Sequence, residues 1–303
     1  FNPKKYRDSL KSIGIIIGYF VGLFEVGFQA NTHIEGVNSA ITVPVVYHLL
    51  FSAALLYGLC KSKNKVRNQL ASIIAVINSI LFAFWFSNYA FYEHEQYITT
   101  GIHQRIGFYL HYISLLIIVF LGYKLYQINK ENPVFELFQK KIVIWIAAFF
   151  IIYMASTELM LHGLVFSNSP VTAQEVQSSE FYKNYQSNEL PQLKQQIAYD
   201  AIYQTRTQII KTGYPILWGI LAFVFLIIGI RKHIKNLRII ALSLLGITIL
   251  KLFLFDISNA SETGKIIAFI LLGILILIIS FVYQKLKVLI QDDNKPKETN
   301  ETE

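Results

Sequence analysis

Apolar residues gather into eight runs separated by short polar stretches: 13–29, 41–60, 70–90, 106–128, 142–166, 214–230, 237–255 and 266–283. Each is about the 17–25 residues that an α-helix needs to cross the hydrocarbon of a bilayer. Inside the runs the apolar character is nearly continuous, as on helices surrounded by lipid and by other helices. The pattern predicts an all-α fold, a polytopic transmembrane helical bundle of about eight spans, filling residues 1–290. A polar tail, 291–303, has no periodicity and is expected to be disordered.

The longest polar interruption is 167–213. Within it, Asn188–Glu189–Leu190–Pro191 reads as a helix start with proline in the first turn. Leu193, Ile197, Ala201 and Ile202 follow at nearly helical spacing. Two readings stay open: an amphipathic helix lying on the membrane surface, or a loop helix packed on the bundle.

Charge adds orientation. The chain carries 27 Lys and Arg against 19 Asp and Glu, a net charge of +8. The basic residues cluster before run one and after runs two, four, six and eight, which places 20 of the 27 on one side. The short connections on the other side hold only Arg105 and Lys265. Lys/Arg-rich loops stay cytoplasmic, so the expected topology has both termini in the cytoplasm of a bacterial inner membrane. This clustering explains the positive charge without nucleic acid, which is not an expected partner; the lipid bilayer is. Composition agrees: 54% of residues are hydrophobic and 15% charged, with mean hydropathy +0.45, against about 25% charged in soluble domains. The single cysteine, Cys60, excludes an internal disulfide and a cysteine metal site.

A charged side chain at mid-bilayer costs about 2.5–3.5 kcal/mol on insertion scales, so each needs a reason. Glu25 continues the stripe of Gly14, Gly18 and Gly22, a small-residue face suited to close helix approach, and is expected to face a partner helix. It is read either as a base or ligand in a cavity or as a packing contact. Glu158 and His162 are four apart and meet on one helix face; a carboxylate beside an imidazole orients it and raises its basicity. As metal ligands they would need a third that local sequence does not supply, so no metal or cofactor is expected. Lys251 and Asp256 lie about 140° apart on their helix and each need other partners, Glu25 or Glu158 for Lys251 among them. Six of the seven histidines, His33, His48, His94, His103, His111 and His162, fall toward the outer side. The expected site is therefore an outer-leaflet polar cluster of Glu25, His48, His111, Glu158, His162, Lys251 and Asp256. Dense rings at Trp85, Phe86, Tyr89, Phe91, Tyr92 and Tyr97 read as an interfacial anchoring belt.

The last eighty residues carry a resemblance. Trp218, Gly229–Ile230–Arg231, Leu237–Arg238, Ile249–Leu250–Lys251–Leu252–Phe253–Leu254–Phe255–Asp256–Ile257–Ser258, Ala268–Phe269–Ile270–Leu271–Leu272–Gly273 and Ser280–Phe281–Val282–Tyr283–Gln284 resemble the C-terminal part of the domain of unknown function 2339 (DUF2339) family of predicted bacterial multi-pass membrane proteins. Lys265 stands where the resemblance implies Arg. Members of that family are usually longer. With Phe1 in place of Met, this implies a C-terminal piece whose further helices would be partners. The resemblance implies location and fold and carries no activity.

No nucleotide-binding glycine loop, His-Glu-x-x-His or Gly-x-Ser-x-Gly occurs, and the sequence names no reaction. Three functions compete: handling a lipid-linked or periplasmic small molecule at the outer cluster; transport or lipid flipping; and a scaffold without substrate. Transport favours interrupted helices and an internal repeat. No repeat is evident, and Pro44 and Pro215 sit near span starts, where they break little.

Overall fold

The computed structural model describes residues 3–61, 64–101, 105–131, 133–179, 182, 189–252 and scattered positions between 266 and 284. Most of the eighth run, the tail 291–303, His103, Asp256 and Lys265 lie outside the described residues. The regular elements are all helical: α1 (Pro3–His33), α2 (Val37–Cys60), α3 (Lys65–Leu81), α4 (Asn88–Thr100), α5 (Ile106–Glu131), α6 (Ile142–Ser167), α7 (Ala173–Ser178), α8 (Leu190–Gln208), α9 (Tyr214–Arg231) and α10 (Lys235–Lys251). Among the described residues six helices are long and apolar enough to cross a membrane: Ser9–His33, Val37–Cys60, Lys65–Thr100, Ile106–Lys130, Ile142–Ser167 and Leu190–Arg231. The protein is a helical membrane bundle. Its outer surface is apolar, with Phe24, Leu116 and Val119 about 70% exposed; such a surface fits lipid and not water.

The chain divides into two compact units, residues 1–209 and 210–303. In the first, α2 is the hub, packed against α1, α3, α4 and α5. Leu49, Leu56, Ala71, Ala75, Phe82 and Leu121 form its buried centre. In the second, α9 and α10 form a hairpin. His233 turns it with a left-handed backbone, φ 54°, and Gly229 lets Arg238 approach so closely that an added Cβ would lie 2.8 Å from its Cγ.

Two expectations from sequence are revised. The third run continues well beyond residue 90. α3 starts at Asn64, whose side chain accepts from the Val66 amide. A π-helical turn, Phe82–Phe86, carries it into α4, and the Ser87 amide donates to Phe82 O. The polar second half stays helical because Ala90, Glu93, His94 and Ile98 are buried against neighbouring helices. The helix start expected at 188–191 is present: α8 begins at Leu190 and passes through a π-helical turn, Ile209–Gly213.

The second revision concerns α1. Of its four glycines only Gly22 is closely approached, by the Tyr47 ring; a Cβ at Gly14, Gly18 or Gly27 would meet nothing within 4 Å. Glu25 is exposed and accepts from Gln29 on its own helix, 2.8 Å. The contact with α2 runs through Tyr19, which packs on Tyr47, His48 and Phe51. Glu25, six residues on, is turned about 120° from it.

Candidate functional site

The site sits where α5 begins and α6 ends. α5 starts at Ile106, and its first turn is capped from another helix. Glu93, buried in α4, does that work from a distance: its Oε1 accepts from the Gly107 amide at 2.7 Å and its Oε2 from the Phe108 amide at 2.7 Å. The Ser39 hydroxyl of α2 donates to the same carboxylate at 2.6 Å. Otherwise orphaned first-turn N–H groups thus meet a negative group at the positive end of the helix dipole. This joins α2, α4 and α5 and fixes the start of α5.

One turn further along α5, His111 points into the bundle with its side chain only 4% exposed. Its Nε2 lies 2.8 Å from Glu158 Oε1 of α6. Glu158 and His162 share a face of α6, as their spacing predicts. His162 uses Nδ1 on the Glu158 carbonyl, 2.7 Å, and Nε2 on the Tyr112 hydroxyl, 2.6 Å. Glu158 Oε2 is 3.7 Å from His162 Nδ1. Phe108 packs edge-on against Tyr112 and His162.

These contacts fix the hydrogens. His162 Nδ1 faces a carbonyl, so it carries the proton and Nε2 accepts from Tyr112. His111 Nε2 faces a carboxylate and donates to it, leaving its buried Nδ1 as a bare lone pair with no partner among the described residues. A carboxylate–imidazole pair at this depth can hold or pass one proton and orient a polar group. With both His162 nitrogens engaged, the group is not arranged for a metal. No cluster of three His, Cys, Asp or Glu among the described residues is.

Of the seven candidates, the structure brings together His111, Glu158 and His162. His48 pairs instead with the Tyr19 hydroxyl, 2.9 Å, and packs edge-on to Phe86. Glu25 keeps to Gln29. Lys251, in the second unit, donates to Ile210 O at 2.8 Å. Asp256 lies outside the described residues. A groove of about 280 Å³ over α8, lined by Leu193, Gln196, Ile197 and Asp200 among others, contains none of the candidates. The clustered candidates therefore lie on the α5–α6 surface and not in that groove.

Sequence reasoning missed Tyr112 and Phe108, whose spacing to His111 says nothing about a second helix. It also missed Glu93 as a cap. Glu95 is another case: it pairs with Arg206 of α8, while Thr205 donates to Asn168. With Leu193, Ala198 and Ile202 buried, α8 packs on α4 and α6.

A family model described as "Predicted membrane protein (DUF2339)" matches residues 6–286. No curated protein and no solved structure matches.

Proposed function

The chain belongs to the DUF2339 family of predicted membrane proteins, and on that premise we propose that it handles a lipid-linked or periplasmic substrate at the His111–Glu158–His162–Tyr112 group. In this proposal it is a multi-pass protein of the bacterial inner membrane, both termini are cytoplasmic, and the group lies toward the outer leaflet. The supporting observation is the 2.8 Å contact between buried His111 Nε2 and Glu158 Oε1, with Glu158 itself 22% exposed. Ionisable side chains within membrane helices are rare and mark sites, relays or structural pairs. A purely structural pair would be expected to close both partners off. Here the carboxylate keeps 22% of its side chain exposed, beside a tyrosine and a second histidine.

The test is complementation in a host lacking the gene, with wild type, Glu158→Ala and His162→Ala expressed at equal membrane abundance. Loss of the wild-type phenotype in both variants is expected. Full complementation by both, with normal folding, would remove the group from function.

A transport reading draws on a different observation. The π-helical turns at Phe82–Phe86 and Ile209–Gly213 interrupt two long membrane helices, and such turns often mark functional positions. In that reading His111 and Glu158 form a proton relay. Uptake by reconstituted vesicles that depends on a pH gradient and is abolished by Glu158→Gln would favour transport over substrate handling at a fixed site.

A further inference from the structure

The hydrogen accounting at this site has a consequence for what can bind there. Every polar hydrogen in the group is used internally. His111 donates to Glu158, His162 to the Glu158 carbonyl, and Tyr112 to His162. What remains is acceptor only: Glu158 Oε2, on a side chain 22% exposed, and the lone pairs of the Tyr112 hydroxyl, with Tyr112 38% exposed. Among the described residues the carboxylate's ionic partners are two imidazoles, with no Lys or Arg within 4 Å. The carboxylate thus sits on an apolar helix surface without a permanent cation beside it.

We propose that this site takes the cationic end of its ligand, an organic ammonium group supplied by a membrane lipid or by a free amine. The inference rests on the reading of the site given above. An ammonium brings both things the site lacks, N–H donors and positive charge. A phosphate would bring a second negative charge and find no donor. The neighbouring rings add to the preference, because cations sit favourably over aromatic faces. Phe166, 80% exposed, stands beside His162 with ring centroids 6.2 Å apart, so open π surface adjoins the His162 end of the group.

The experiment is lipid retention by the full chain in nanodiscs, read by native mass spectrometry. Phosphatidylethanolamine is compared with phosphatidylglycerol, and free ethanolamine with inorganic phosphate. The variants are Glu158→Gln, which keeps an acceptor for His111, and Glu25→Gln as an exposed carboxylate elsewhere. Preferential retention of phosphatidylethanolamine is expected, falling about tenfold (about 1.4 kcal/mol) in Glu158→Gln and unchanged in Glu25→Gln. Glu158-dependent binding of ethanolamine alone would also support the ammonium and assign a soluble source. Glu158-dependent retention of phosphatidylglycerol or phosphate would overturn the ammonium while leaving the site reading standing. Binding of all four probes unaffected by Glu158→Gln would overturn both. Circular dichroism and elution volume matching wild type show that each variant is folded.

Discussion

Gly107 shows how tightly one residue can be specified at the edge of this site. A Cβ there would lie 2.9 Å from both Glu93 Oε2 and Thr42 Cγ2, inside the contact that caps α5. Neither neighbour gives way freely, because Glu93 is held by three donors and Thr42 is buried with its hydroxyl on Ser39 O. Gly107→Ala is therefore expected to destabilise the fold by about 1–3 kcal/mol, the usual cost of overpacking, seen as a lower thermal midpoint in detergent. Glu93→Gln should also lower it, since an amide nitrogen cannot accept from an N–H and one contact to α5 or α2 is lost. An unchanged midpoint in both would mean that Glu93 does not hold α5. At this scale the sequence is legible only within a helix. Glu158 and His162 are paired by a spacing of four. That His111 is their partner depends on how α5 and α6 pack, to which no local spacing refers. Glu25 was misjudged for a related reason: glycines permit close approach but do not require it, and the large ring of Tyr19 decided which face of α1 met α2.

At the scale of elements, apolar runs mark where a helix crosses lipid, while caps and tertiary burial mark where it stops. The run 70–90 belongs to a helix that begins at Asn64 and ends at Gly101, whose φ of 80° makes a left-handed stop. Hydropathy does not mark its last turns, residues 91–100, where Glu93 and His94 are buried and bonded to neighbouring helices. Short α7 shows the opposite case, an element specified by local chemistry. Thr172 accepts from the Glu175 amide, and the Glu175 carboxylate accepts from the Thr172 amide at 2.7 Å, a capping box. That backbone hydrogen bond holds the Glu175 carboxyl below its ordinary range. A depressed folded-state value stabilises the cap above the unfolded carboxylate range, near about 4.3, and this contribution is lost as pH falls through the lower folded value. Backbone exchange in 173–178, corrected for intrinsic rate, should be faster in Glu175→Gln than in wild type at pH 7. The two should converge as the medium is acidified below pH 4. A difference that persists there would show that the carboxylate charge is not what secures the turn.

For the whole molecule, the bundle class was legible because a bilayer imposes it: each backbone group in hydrocarbon must be satisfied within its own helix, so apolar stretches of span length become helices. Orientation was read from a separate signal, the basic clusters, and the site proposal depends on it. The two loops flanking α6 provide the test. The turn Glu136–Gln139 precedes α6 and is expected in the cytoplasm; residues 168–172 follow it and are expected outside. With Cys60→Ser as background, Glu136→Cys and Ser169→Cys place single thiols at exposed positions without changing any Lys or Arg. An impermeant maleimide should label Ser169→Cys in cells whose inner membrane is intact, and Glu136→Cys only after that membrane is permeabilised. The reverse pattern would put the end of α6, and with it His162, Glu158 and the start of α5, at the cytoplasmic face. A periplasmic substrate would then be excluded. The ammonium preference would survive, because it follows from which hydrogens are already used and not from which side of the membrane they face.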